Sequence, residues 1–252
     1  MICHHMIRHN KIWHKTWLES RTRFLAAAVL VAAISVWVIV SSERGMARFD
    51  IRPPITFAQY VAMVCVWRIE LVWVAAVLFL GLGGLMRERA LGTAAYTLSL
   101  PVSRRRWMAT RAAVGAVESG ILALVPAIAI PAASLWIGRT YPVAEAVKFS
   151  GLMMAAGLVF FATGFFWSSV LPSDYAAAGM GALSLYLTFT SQDYLYRWFP
   201  AFGMSRLLSG AEYVNRATGF LQGCDWSGVA ASLATALALF LAATQIMQLR
   251  DL

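Results

Sequence analysis

The sequence predicts an all-α integral membrane protein, from its composition and from the length of its apolar runs. The chain has 252 residues, of which 60% are hydrophobic and only 13% are charged. A soluble domain of this length needs more charge to cover its surface. A bilayer-spanning helix needs about 20 mostly apolar residues. Outer-membrane strands would alternate apolar and polar residues, and no such alternation is present in FLAAAVLVAAISVWVIV, residues 24–40.

Six apolar runs are long enough to predict about six transmembrane helices. They are residues 24–42, 65–86, 112–137, 146–171, 175–191 and 227–249. These runs leave no room for a separate soluble domain, so we predict a single transmembrane domain over residues 1–252. We see no repeat of fixed period.

The N-terminal residues 1–23 predict an amphipathic helix at the cytoplasmic interface. Apolar residues recur at helical spacing between charged ones; they are Ile12, Trp13, Trp17 and Leu18. A helix with tryptophans on one face and cations on the other lies along a membrane surface. The following apolar run is of full spanning length and lacks a small-residue cleavage site, so we expect it to be retained rather than removed as a signal peptide. Either Met1 or Met6 can be the translation start.

The distribution of arginine and lysine predicts the orientation. Most basic residues close to the span ends fall on one side if the N-terminus is cytoplasmic and six spans alternate, as the positive-inside bias requires. We therefore expect a multi-pass protein of the plasma or inner membrane, with both termini and the loop 87–111 in the cytoplasm. Residues 192–226 then form an external connection, either an interfacial aromatic belt or a re-entrant segment. The net charge of +9 reflects this topology and anionic lipid rather than nucleic acid.

A polar stretch separates the second and third apolar runs, and reads MRERALGTAAYTLSLPVSRRRW, residues 86–107. Gly92 suits a helix C-terminus, and Thr93 can cap a short helix that begins at Ala94. Pro101 is preorganised for a first helical turn. The stretch therefore predicts a helix end, a short helix, a turn and a new helix. The alternative is an ordinary basic loop held at the interface by lipid phosphates.

The sequence pattern of this stretch also resembles that of a known protein family. Its pattern is E-x-x-x-G-T-x-x-x-x-L-x-x-P-V-S-R, formed by Glu88, Gly92, Thr93, Leu98, Pro101, Val102, Ser103 and Arg104. It resembles the first cytoplasmic loop of the permease subunits of ATP-binding-cassette (ABC) transporters of the second exporter type. The N-terminal helix, the six-span plan and the ending QIMQLRDL, residues 245–252, are similar to that family as well. The resemblance covers essentially the whole chain, although only the loop is specific.

The resemblance implies a transport permease that works with separate ATPase subunits. Two permeases, identical or different, would form a substrate pathway between them, and two ATPase subunits would dock beneath. The short helix carrying Ala94 and Ala95 would be the coupling helix, with the motif residues around it. The chain contains no G-x-x-x-x-G-K-[ST] phosphate loop, so ATP and Mg would be bound by the partner subunits and no cofactor by this chain. The alternatives are a non-transporting membrane scaffold or sensor and, less favoured, an intramembrane enzyme.

A few further residues carry separate expectations. Glu118 lies well inside the third run, and an intramembrane acid indicates function; it either faces the substrate pathway or pairs with Arg111 on the same helix. We predict no catalytic residue and no metal site, because all four histidines lie near Cys3 in the first fourteen residues and no carboxylate or second cysteine completes a site. Cys65 and Cys224 either pair in an oxidising compartment or are two separate thiols. The sequence does not identify the substrate.

Overall fold

A computed structural model describes residues 2–48, 56–82, 103–198, 214–215, 218–224 and 226–249 of the chain. Helices make up nearly all of these residues, and the β structure among them is one isolated antiparallel bridge between Val214 and Leu221. The predicted all-α fold is therefore confirmed for the part of the chain that the structure describes.

The helices follow one another with short connections. They are α1 (Ile2–Val40), α2 (Ser42–Arg48), α3 (Phe57–Tyr60), a π-helical turn (Val61–Cys65), α4 (Val66–Gly81), α5 (Arg104–Trp136), α6 (Val143–Ala156), α7 (Leu158–Val170), α8 (Asp174–Trp198) and α9 (Trp226–Leu249). The predicted tight connection before residue 175 is confirmed, because α7 ends at Val170 and the Ser173 hydroxyl accepts a hydrogen bond from the Ala176 N–H, at 3.2 Å, near the start of α8.

Five helical stretches within the described residues are long and apolar enough to cross a membrane. They are Trp13–Val40, Phe57–Gly81, Arg105–Trp136, Val143–Val170 and Trp226–Leu249. The fifth predicted run, residues 175–191, lies within α8, which is 25 residues long but does not belong to these five. The membrane-protein class is thus supported, and the sixth span stays a prediction.

The N-terminal segment does not form a helix of its own. α1 runs without interruption for 39 residues, so the N-terminal amphipathic segment and the first apolar run belong to one continuous helix. At 1.5 Å per residue this helix is about 58 Å long, well beyond the roughly 30 Å of a hydrocarbon core. Trp17 packs against Phe24 with ring centroids 5.6 Å apart. This contact joins the tryptophan-bearing end of the helix to its apolar part.

The centre of the bundle is the contact between α4 and α7, where two glycines bring the backbones together. A Cβ atom built on Gly164 would lie 2.3 Å from the Leu78 carbonyl oxygen, and one on Gly81 would lie 2.5 Å from the Phe161 carbonyl oxygen. Small residues allow such close approach of membrane helices. α1 packs on α4 and α5, while α8 and α9 pack on α7.

The fourth span, formed by α6 and α7, is interrupted at Gly157. A Cβ atom at this position would lie 2.1 Å from the ring of Trp73, so glycine is required for α4 to pack at the interruption. The Ser232 hydroxyl of α9 donates to the Ala156 carbonyl oxygen at 2.5 Å, which satisfies a carbonyl beside the interruption. Both neighbouring helices therefore hold the joint.

At the end of the bundle opposite Leu82, the Glu145 carboxylate of α6 accepts two hydrogen bonds. Its Oε2 accepts the Leu221 N–H at 3.0 Å, and its Oε1 accepts the Lys148 ammonium at 2.6 Å. Burial, together with the nearby Glu145 and Cys65, raises the pKa of Tyr141 to about 12. Cys65 and Cys224 are not joined by a disulfide in the structure, so of the two expectations for them the separate thiols are the one observed.

Candidate functional site at the base of the polar loop

Most residues of the predicted coupling loop fall outside the described part of the chain. Those outside are Glu88, Gly92, Thr93, Ala94, Ala95, Leu98, Pro101 and Val102. The loop end is described: Ser103 is the N-cap of α5, its hydroxyl accepting the Arg106 N–H at 3.3 Å, and the helix begins at Arg104. The new helix therefore begins three residues after Pro101, the residue expected to open it.

Two arginines converge where the loop begins. α4 ends at Gly81, and its C-cap residue Leu82 offers a carbonyl oxygen beyond the last helical turn. The Arg23 guanidinium of α1 donates to this oxygen at 2.7 Å, and the Arg111 guanidinium of α5 donates to it at 3.4 Å. Cations are favoured at a helix C-terminus, where carbonyl groups lack helical partners. The contact therefore ties α1, α4 and α5 together at the residue where the loop begins.

Acidic and aromatic groups surround Arg111 but contribute less. Its Nη1 lies 4.0 Å from Glu19 Oε2, its guanidinium carbon lies 5.7 Å from the Trp107 ring centroid, and Glu19 also lies 3.6 Å from the Lys15 ammonium. Such partly exposed ion pairs contribute about 0–1 kcal/mol, whereas a hydrogen bond from a charged group contributes about 1.5–3 kcal/mol. The contacts with the Leu82 carbonyl thus dominate this end of the loop.

A second contact holds the other end of the loop. Arg105 Nε, in the first turn of α5, donates to Gln248 Oε1 in the last turn of α9 at 2.9 Å. The residues on either side of segment 83–102 are therefore connected to α1, α4, α5 and α9. We call Arg23, Leu82, Arg105, Arg111 and Gln248 the loop base.

Glu118 lies two turns beyond Arg111 on α5 and is almost fully buried. The Ser20 hydroxyl of α1 donates to Glu118 Oε1. The sequence left two interpretations of Glu118 open, a substrate-facing acid or a pair with Arg111. The structure adds Ser20, on a different helix, as a hydrogen-bond partner. Glu118 therefore joins α1 to α5 just above the loop base.

A second acid, Glu70, is buried in the middle of the bundle. Neither of its carboxylate oxygens has a hydrogen-bond partner in the described part of the chain, and the same holds for the Trp73 indole nitrogen one turn later. Arg68 is exposed, as expected for residues two apart on a helix. The Glu70 side of α4 therefore faces the bundle.

The comparisons with known proteins identify no relative. No protein-family model matches the chain, and no curated protein matches it. Over the described ranges, His, Cys, Asp and Glu form no group of three that could hold a metal ion.

The loop base contains residues that the sequence alone did not single out. In the sequence, Arg23 is only a positive charge near a span end, Arg111 is named only as a possible partner of Glu118, and Gln248 is only one residue of the C-terminal ending. Their convergence depends on how three or four helices pack, and no local pattern reports this. The one usable signal is the position of these side chains, each within a turn or two of a predicted span end.

Replacing Glu118 with glutamine tests whether the carboxyl group has a role beyond the packing of α1 on α5. The glutamine amide oxygen can still accept the Ser20 hydroxyl, so we expect the protein to fold with an unfolding free energy within about 1 kcal/mol of the wild type. If the chain works with an ATPase, as the sequence resemblance implies, substrate-stimulated ATP hydrolysis should change as well, because a buried carboxyl is replaced by an amide. Size-exclusion chromatography and ATPase assays measure the two effects. Loss of folding would assign Glu118 a purely structural role.

Proposed function

We propose that this protein is the membrane-spanning permease subunit of an ATP-driven exporter of the ABC type. Two such subunits, identical or different, form the substrate pathway, and separate ATPase subunits bind on the cytoplasmic side. The short helix that begins at Ala94, in the loop 87–111, is the coupling helix. The observation that carries the proposal is the loop base, because a segment held firmly at both ends can pass a displacement to the helices that hold it.

Three features support this proposal together. The loop pattern from Glu88 to Arg104 resembles that of the exporter permeases. The five long apolar helices suit a membrane pathway. The loop base joins the first and last described helices, so a movement of the loop reaches α1 and α9 at once. A coupling helix must be attached to the membrane helices that it moves. A basic loop that only rests on lipid phosphates needs no such attachment.

Charged substitutions in the short helix of the loop test the proposal. We expect Ala94→Glu and Ala95→Glu each to reduce the ATPase activity that co-purifies with the protein from native membranes by about tenfold or more, since a tenfold loss needs only about 1.4 kcal/mol and a carboxylate placed in a binding groove costs at least that. The matched control is Ala109→Glu, at an exposed position of α5 on the same side. We expect it to behave like the wild type.

The outcomes separate the competing functions. If the wild-type protein carries no ATPase activity, the proposal fails and the scaffold or sensor alternative takes its place. If the activity is present but all three variants retain it equally, the ATPase binds elsewhere and the coupling role of this loop is wrong. A fall limited to the two loop variants supports the proposal.

A further inference from the structure

A small cavity lies between α7, α8 and α9. Its volume is about 170 Å³, and its wall is formed by Val159, Phe160, Thr163, Ser184, Leu185, Thr188, Thr235 and Leu239. Four of these eight residues carry a hydroxyl group, and none is ionisable. The wall therefore offers hydroxyl oxygens as well as apolar surface.

Every hydroxyl hydrogen of these four residues is already used. Thr163 donates to the Val159 carbonyl oxygen at 2.9 Å, and Thr235 donates to the Ala231 carbonyl oxygen at 2.8 Å. The hydroxyls of Ser184 and Thr188 likewise donate to the carbonyl oxygens four residues before them, each at 2.8 Å. A hydroxyl has one donor hydrogen and two acceptor lone pairs. While these bonds are kept, the hydroxyls of the cavity wall can only accept further hydrogen bonds.

One of these hydroxyls shows the acceptor role directly. The Trp167 indole N–H donates to Ser184 Oγ at 2.9 Å while the Ser184 hydroxyl donates to its own helix. The three threonine oxygens have the same arrangement toward their helices. A ligand that brings N–H or O–H groups can satisfy them, whereas a ligand with only acceptors cannot.

We propose that this cavity binds a compact, mainly apolar molecule or group that carries a hydrogen-bond donor, such as an alcohol or an amine. The size agrees, because a protein cavity of about 150 Å³ takes up benzene. The apolar walls from Phe160, Leu185 and Leu239 hold the body of the ligand, and the threonine oxygens of three different helices receive its donor. The site needs only α7, α8 and α9, so it stands whether or not the loop couples to an ATPase.

Three probes of similar shape test the proposal. They are benzyl alcohol, which donates a hydrogen bond, benzaldehyde, which only accepts, and toluene, which does neither. Binding is measured by equilibrium dialysis against the full-length protein in lipid nanodiscs, with empty nanodiscs subtracted to remove partitioning into lipid. We expect benzyl alcohol to bind about threefold to tenfold more tightly than either other probe, the range that one additional net hydrogen bond provides.

Threonine-to-valine variants show where the preference arises. Valine keeps the shape of threonine and removes the acceptor, so the triple variant Thr163→Val, Thr188→Val, Thr235→Val should lose most of the preference for benzyl alcohol. Each single variant is measured as well, so the test does not depend on folding of the triple variant. The matched controls are Thr190→Val on α8 and Thr244→Val on α9, because both hydroxyls donate to their own helices at 2.8 Å and neither residue lines the cavity. They should keep the wild-type preference.

Three results would overturn the proposal. Equal binding of toluene and benzyl alcohol to the wild type would make the cavity a simple apolar void. Unchanged preference in every threonine variant of the cavity would place the bound alcohol elsewhere. Binding no greater than to empty nanodiscs would mean that the cavity holds none of these molecules.

Discussion

Gly164→Ala is expected to destabilise the helix bundle by about 3 kcal/mol, at the upper end of the usual cost of overpacking. The added methyl group would lie 2.3 Å from the Leu78 carbonyl oxygen, and a backbone atom cannot move aside as a flexible side chain can. α4 and α7 would have to separate along their whole contact. Gly81→Ala should act in the same direction, because its methyl group would lie 2.5 Å from the Phe161 carbonyl oxygen. The midpoint of thermal unfolding in detergent measures both effects.

Two other helical glycines provide the control. A Cβ atom on Gly151 of α6 or Gly179 of α8 would meet nothing within 4 Å among the described residues. Alanine is favoured over glycine in a helix by about 0.5–1 kcal/mol, so Gly151→Ala and Gly179→Ala should leave the midpoint unchanged or raise it slightly. If all four variants unfold at the same temperature, α4 and α7 do not pack through their backbones.

The double variant Arg23→Met, Arg111→Met should loosen the loop base. The Leu82 carbonyl oxygen would lose two charged donors, each contributing about 1.5–3 kcal/mol. Because they share one acceptor, the losses do not add, and we expect a total of about 3 kcal/mol. At about 2–4 °C per kcal/mol for a protein of this size, the unfolding midpoint should fall by about 6–12 °C. Given the proposed function, stimulation of ATP hydrolysis by substrate should fall as well.

Single variants separate the roles of charge and geometry at the loop base. Arg23→Lys keeps the charge but loses the guanidinium fork, so its midpoint should fall between those of the wild type and the double variant. Arg68→Met, at an exposed position of α4, removes an arginine far from the loop and should change neither stability nor stimulation. A double variant that unfolds like Arg68→Met would show that the Leu82 contacts contribute nothing.

Much of the fold follows from local patterns in the sequence. The apolar runs predicted the helices that contain them, because an apolar run of spanning length has few other solutions in a membrane. The N-terminal helix was less predictable. Its amphipathic part is predicted to lie at the membrane interface and the first span in the bilayer interior. No glycine or proline separates the two parts, so α1 continues from Ile2 to Val40.

The candidate site depends on long-range packing and was therefore only partly predictable. Glu118 was recognised because a carboxylate in an apolar run stands out, but its partner Ser20 lies on another helix. The loop base requires α1, α4, α5 and α9 to meet at one end of the bundle. The hydroxyls of the cavity were equally unmarked, because threonine is common in membrane helices and only the packing of α7, α8 and α9 brings three of them together.

The glycine contact between α4 and α7 also constrains how the protein is made. Gly164 is synthesised about 80 residues after Gly81, which is about 4–16 s later at the usual ribosomal rate of roughly 5–20 residues per second. During that interval α4 has left the ribosome but lacks the helix against which its glycine face packs. Until α7 arrives, this face must be covered by lipid, by α1 or by the insertion machinery. The central contact of the mature bundle therefore forms only after α5 and α6 have been synthesised.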